Sequence, residues 1–280
     1  VAAASKRGDP NRVFQVNHPR LPQNIGYFNI INFDPKRGTS LSALPFDTIE
    51  VYNGYELGRR ELTERVMDDW FTILNLGKHM AATGSSDSHR IQYQWAGYPR
   101  TYAMVDPKAA GDTGQPIDTK EVVAALKKGR GFVSSGPMID FEIVSAGRGA
   151  KPGDEMPRAS NVNAKLKVRA APWLDVTSIE IIAGVPPPPP PHGAYATVVS
   201  GTQSLFKQAV ASQPTQMGRE EGKLEELHAR TVRFDNDSIP LKIPDGAKWV
   251  IVIVRGERAM DDALPFMQIQ PLAFTNPIYL

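Results

Sequence analysis

Apolar positions recur along this chain in two rhythms, and the rhythm changes near Gly136-Pro137. Before that point, short apolar runs alternate with segments of helical period. Val13-Phe14-Gln15-Val16, Phe46-Asp47-Thr48-Ile49-Glu50-Val51-Tyr52 and Met80-Ala81-Ala82-Thr83-Gly84 read as strands. Between the second and the third, Leu62, Val66, Trp70, Ile73 and Leu74 fall on one helical face, and Gly77 stands where a C-terminal cap belongs. A second helix is expected over residues 120–128, with Thr119 as N-cap, Glu121 in the first turn, Lys127 and Lys128 in the last, and Gly129 as the stop. The stretch 21–45, rich in Asn, Gly and Pro, is expected to pass over the mouth of a site between the first two strands.

Beyond Gly136 the period is two. Residues 139–144 alternate apolar with acidic, and 162–170 set Lys165, Lys167 and Arg169 against Ala164, Leu166 and Val168. Runs at 178–182, 231–234 and 249–254 follow, the last apolar on both faces and so expected to be a central strand. The order strand, strand, helix, strand, helix, strand suits half of an α/β barrel over 1–136, and the later runs suit an all-β sandwich over 137–280. Six prolines, Pro186 to Pro191, predict an extended polyproline segment, either a stiff connection or a ligand for an aromatic groove.

Composition narrows the class. A chain of 280 residues with 41% apolar and 22% charged residues can bury a sizeable core. A net charge of +2, without a clustered basic stripe, gives no case for nucleic acid. No apolar run approaches the roughly 20 residues that span a bilayer. The absence of cysteine removes disulfides and thiolate metal sites, and is compatible with cytoplasm or periplasm.

The polar groups that close the early strands carry the chemistry. Ser86-Asp87-Ser88-His89 follows the third strand and offers an oxygen and a nitrogen two residues apart, on one side of an extended backbone. Such a pair can hold a divalent metal, or Ser86 or Asp87 can cap a following helix. Asn17-His18-Pro19-Arg20 closes the first strand and Asn53-Gly54 the second. His18, Asp87 and His89 then form a two-His, one-carboxylate ligand set of the kind that, with a water, makes a catalytic metal site. Arg20 and Arg100 are candidate catalytic residues, each offering a planar fork of donors to an anionic substrate group; the alternative for each is a surface salt bridge. Asn53 could orient a ligand, or simply form an Asn-Gly turn.

Val16-Asn17-His18-Pro19-Arg20, Ile49-Glu50-Val51-Tyr52-Asn53-Gly54 and Thr83-Gly84-Ser85-Ser86-Asp87-Ser88-His89 occur in that order. They resemble the later motifs of PHP-type (polymerase and histidinol phosphatase) metallohydrolases, in the carbaryl-hydrolase-like branch. Pro99-Arg100-Thr101-Tyr102, Gly131-Phe132-Val133-Ser134-Ser135-Gly136-Pro137 and Phe274-Thr275-Asn276-Pro277-Ile278 fit the same branch. The resemblance implies a distorted βα barrel, of which this chain would be the second half, with two or three divalent metals such as Zn, Mn or Fe. It implies hydrolysis of phosphoesters or related esters of small molecules through metal-activated water. His18 matches the histidine of the family's His-Pro motif, and Asp87 and His89 match its late Asp-x-His motif. The family's opening His-x-His or His-x-Asp motif has no counterpart, since residues 1–17 hold no histidine and only Asp9 among acids. The chain is therefore expected to be the C-terminal portion of a hydrolase, pairing with a missing N-terminal half or with a second copy. The contrasting expectation is a non-catalytic module in which the β-sandwich does the binding.

Overall fold

The computed structural model describes residues 9–21, 25–34, 44–54, 60–92, 94–106, 118–159, 161–186, 201–211, 214–216, 222–265 and 268–280. Pro187 to Pro191 and the middle of the 21–45 stretch lie outside them.

Three short strands make a parallel sheet in the order β1 (Gln15–Val16), β2 (Thr48–Asn53), β3 (Ala81–Ser85). Helix α1 (Tyr27–Ile30) follows β1, and α2 (Arg60–Asn75) connects β2 to β3. The apolar periodicity of α2 buries Val66, Trp70, Ile73 and Leu74, and Gly77 ends it at φ +84°. The bonds Gly77 N–H to Leu74 O (2.9 Å) and Lys78 N–H to Ile73 O (3.2 Å) close the last turn. That turn is covered on all sides. Trp70 packs on Phe274, Phe71 stacks on Trp249, and the Trp249 indole N–H donates to Asn75 Oδ1 (2.9 Å).

The remaining strands are β4 (Arg100–Ala103), β5 (Gly131–Ser134), β6 (Met138–Ser145), β7 (Arg148–Ala150), β8 (Asn161–Arg169), β9 (Ser178–Gly184), β10 (Thr202–Ala209), β11 (Val232–Lys242), β12 (Trp249–Arg255), β13 (Leu272–Thr275) and β14 (Ile278–Tyr279). Helix α3 (Thr119–Lys128) lies between β4 and β5, and α4 (Leu224–Thr231) precedes β11. The cap of α3 is Asp118, one residue earlier than expected, accepting from Lys120 N–H at 2.9 Å. A seven-stranded sheet runs β10-β9-β12-β13-β5-β4, with β14 also on β12, and a four-stranded sheet runs β11-β8-β6-β7. Strand β12 is buried along almost its whole length, and β6 and β8 alternate buried apolar with more exposed polar residues, as the period of two requires.

This overturns the half-barrel. The chain is mostly β, in three separate sheets that do not close, with four helices among the described residues. In a βα barrel the strand after β3 would pair with it in parallel. Here β4 and β5 run antiparallel to each other, and β5 is antiparallel to β13. The seven-stranded sheet thus draws on both sides of Gly136. The β3 edge where a next strand would lie is filled by side chains instead. The Asn276 amide accepts from Ala82 N–H (2.6 Å) and donates to Ala82 O (3.1 Å). The Thr101 hydroxyl lies 2.9 Å from both Gly84 N and Gly84 O. Two side chains replace two ladder rungs on alternate residues, so the edge is satisfied without a strand. Gly84 has no side chain for a physical reason: a Cβ there would stand 2.5 Å from Val133 Cγ1, where β3 meets β5. No helix among the described residues is long and apolar enough to cross a membrane.

Candidate functional site

The ends of the three parallel strands meet at one buried carboxylate, Glu50, which is 2% exposed. It interrupts an otherwise apolar or aromatic run, Ile49-Glu50-Val51-Tyr52, in a strand buried on both faces. Three donors converge on it: His18 backbone N–H at 2.6 Å, Asn53 Nδ2 at 3.1 Å and the Ser85 hydroxyl. The donors come from the turn after β1, the end of β2 and the end of β3 respectively. All are neutral, and no Lys or Arg among the described residues pairs with Glu50.

Glu50 and Asn53 can share a face because β2 carries a bulge. Glu50 pairs with Thr83, Tyr52 with Gly84 and Asn53 with Ser85, so Val51 is an extra residue in the ladder. By strict alternation, residues three apart would point to opposite faces. The bulge brings both side chains to the side where Asp87 arrives. The Asn53 amide nitrogen then lies 3.1 Å from Glu50 Oε2 and also 3.1 Å from Asp87 Oδ2, joining the two carboxylates. The other Asp87 oxygen is 2.9 Å from His89 Nε2.

The backbone is strained at the residues expected to act. His18 has φ +31° and Asp87 φ +46°. Non-glycine residues in this region cost of order 1 kcal/mol or more, and such residues collect at functional sites. Gly54 allows the close approach behind them: its N–H donates to Ser85 O (2.8 Å), and a Cβ would stand 2.4 Å from Ser86 O. No helix begins at the tetrad, so capping does not explain it. Residues 86–90 leave the sheet as irregular chain, with the His89 and Arg90 amides donating to Gln94 Oε1 at 2.5 and 2.7 Å.

The expected site residues are distributed as follows. Asp87 and His89 are in contact, with side chains 26% and 66% exposed. His18 lies beside Glu50 and Asn53 in a cleft of about 30 Å³, room for a water. No hydrogen bond from the described residues reaches its ring. Arg20 borders the same cleft, but its guanidinium is held within the protein. Nε and Nη2 bond both oxygens of the buried Asp69 at 2.6 and 2.9 Å, Nη2 also bonds Phe33 O (2.7 Å), and the group stacks near Phe28 and Phe33. Burial pushes the Asp69 carboxyl up and the Arg20 contact pulls it back. Arg100 differs: its Nε donates to Gly97 O (2.6 Å), and its guanidinium carbon lies 4.9 Å from the Tyr98 ring centroid and 6.0 Å from that of Tyr102. No acceptor among the described residues reaches its two terminal nitrogens. Among the described residues no group of three or more His, Asp or Glu side chains converges in a metal-ligating arrangement.

Glu50 was not among the expected site residues. Its signal was available: a lone acid inside a buried parallel strand needs partners. No family model matches the chain, nor does any curated protein or solved structure.

Proposed function

We propose that this chain carries a divalent-metal site for hydrolysis of phosphoester or related ester bonds in small molecules. One observation carries the reading. The buried Glu50 carboxylate and the Asp87 carboxylate share a single amide donor, and among the described residues no Lys or Arg pairs with either and no hydrogen bond reaches the neighbouring His18 ring. A buried carboxylate without a cationic partner is costly, and a cation bound nearby offsets that cost. The donor chemistry suits Zn, Mn or Fe, with carboxylate oxygens and imidazole nitrogens and no thiolate; among the described residues Asp87 and His89 are already in contact, and binding would have to draw the His18 ring to them. His18, Asp87 and His89 would hold the ion. When bound, a divalent metal supplies a water of lowered pKa and polarises the ester oxygen.

The chain's own groups do the rest. Asn53 Nδ2 donates to Asp87 Oδ2 at 3.1 Å and so restrains that carboxylate. The Arg100 guanidinium, which lies over the Tyr98 ring and near that of Tyr102, presents its terminal N–H groups to an anionic part of the substrate. The test is turnover of chromogenic phosphate monoesters, diesters and carboxylate esters by the chain loaded with Zn, Mn or Fe(II). Metal-dependent turnover that falls at least about tenfold in Asp87→Ala is expected. Metal bound without turnover of any ester would contradict the hydrolase and leave the non-catalytic binding module.

A further inference from the structure

We infer that Glu50 is the positioning residue of this site, holding the two ligand-bearing loops in their strained conformations. The inference deepens the metal-site reading above and rests on it for its functional part. Glu50 Oε2 accepts from His18 N–H (2.6 Å), at the residue whose φ is +31°. The same oxygen accepts from Asn53 Nδ2, which is also bonded to Asp87, the residue at φ +46°. Oε1 accepts from the Ser85 hydroxyl, two residues before Asp87. One buried side chain therefore fixes the backbone of the first proposed ligand directly and the carboxylate of the second through a single amide. The Val51 bulge turns Asn53 to the Glu50 side so that this relay can form. A strained left-handed residue persists only where its surroundings over-determine it. At His18 that determinant is a short bond to a carboxylate with little freedom to move.

Two substitutions distinguish positioning from direct ligation. A glutamine at position 50 keeps every bond of the network. Its carbonyl oxygen takes the place of Oε2, and its NH₂ donates to the Ser85 hydroxyl, which can accept. A leucine of similar volume keeps none of them.

The test uses Glu50→Gln, Glu50→Leu and, as a milder probe, Ser85→Ala. In the metal-free chain, amide exchange at His18 is expected to stay slow in Glu50→Gln and Ser85→Ala, and to speed up at least about tenfold in Glu50→Leu. Titrated with Zn, Glu50→Leu is expected to bind at least about tenfold more weakly than Glu50→Gln, the size of effect seen when an outer partner of a ligand is lost. Unchanged exchange at His18 in Glu50→Leu overturns the inference. So does equal zinc affinity in the Gln and Leu variants: both as tight as the wild type would leave Glu50 without a role, and both equally weakened would make Glu50 a ligand. If the wild-type chain takes up no zinc at all, the metal reading falls separately, and the exchange comparison alone decides the positioning role.

Discussion

Tyr52 follows the Val51 bulge and, unlike Glu50, brings a neutral hydroxyl into the core. It is 4% exposed, and burial pushes its phenol from the ordinary 10 up to about 12, with the Ser135 side-chain hydrogen bond acting in the opposite direction. The folded state thus holds this proton to higher pH than the unfolded state does. Its stabilising contribution is complete below about pH 10 and is lost as pH rises through about 12. A shift of that size corresponds to about 2–3 kcal/mol. Tyr52→Phe is expected to flatten the fall in stability over that window, measured by urea denaturation at a series of alkaline pH values. A fall as steep as that of the wild type would contradict the assignment. The same scale separates the two arginines. Arg20 is tied to Asp69 on both forks, whereas Arg100 keeps its terminal N–H groups clear of the described acceptors.

At the scale of elements, the joint between β3 and the seven-stranded sheet positions the tetrad. Asn276→Ala would leave the buried N–H and C=O of Ala82 without partners, a loss of about 2–4 kcal/mol. Chemical denaturation measures it, and a change within about 0.5 kcal/mol, the range of a neutral surface substitution, would show that the joint does not hold β3. This joint could not be read in advance. Asn276 lies 194 positions from Ala82 and Thr101 lies 17 from Gly84, whereas periodicity reports only local neighbours. What depends on local pattern was legible: the apolar face of α2, the glycine stop of α3, the alternation in β8. The bulge at Val51 was not, because it exists only in the pairing of β2 with β3.

For the whole molecule, the succession of strands and helices suggested a barrel because it gives element type and order but not partners. The short run at Gly131–Ser134 looks the same whether it pairs in parallel with β3 or antiparallel with β13. The side chains of Thr101 and Asn276 occupy the edge that would have decided for the barrel. The site is less affected by this change, since strand ends gather polar groups in any parallel sheet, closed or open. His18, Asp87 and His89 were visible as candidates because each follows a strand. Glu50, on which all three strand ends converge, was hidden inside one.

The central claim is that these strand ends form a cation site, and metal retention tests it most directly. The chain is loaded with Zn, Mn or Fe(II), dialysed free of excess and analysed for metal, alongside His18→Ala and Asp87→Ala proteins shown to be folded. The account predicts near-stoichiometric or higher metal in the wild type and a loss in both variants. A wild-type chain that retains none, or variants that retain as much as the wild type, would contradict it.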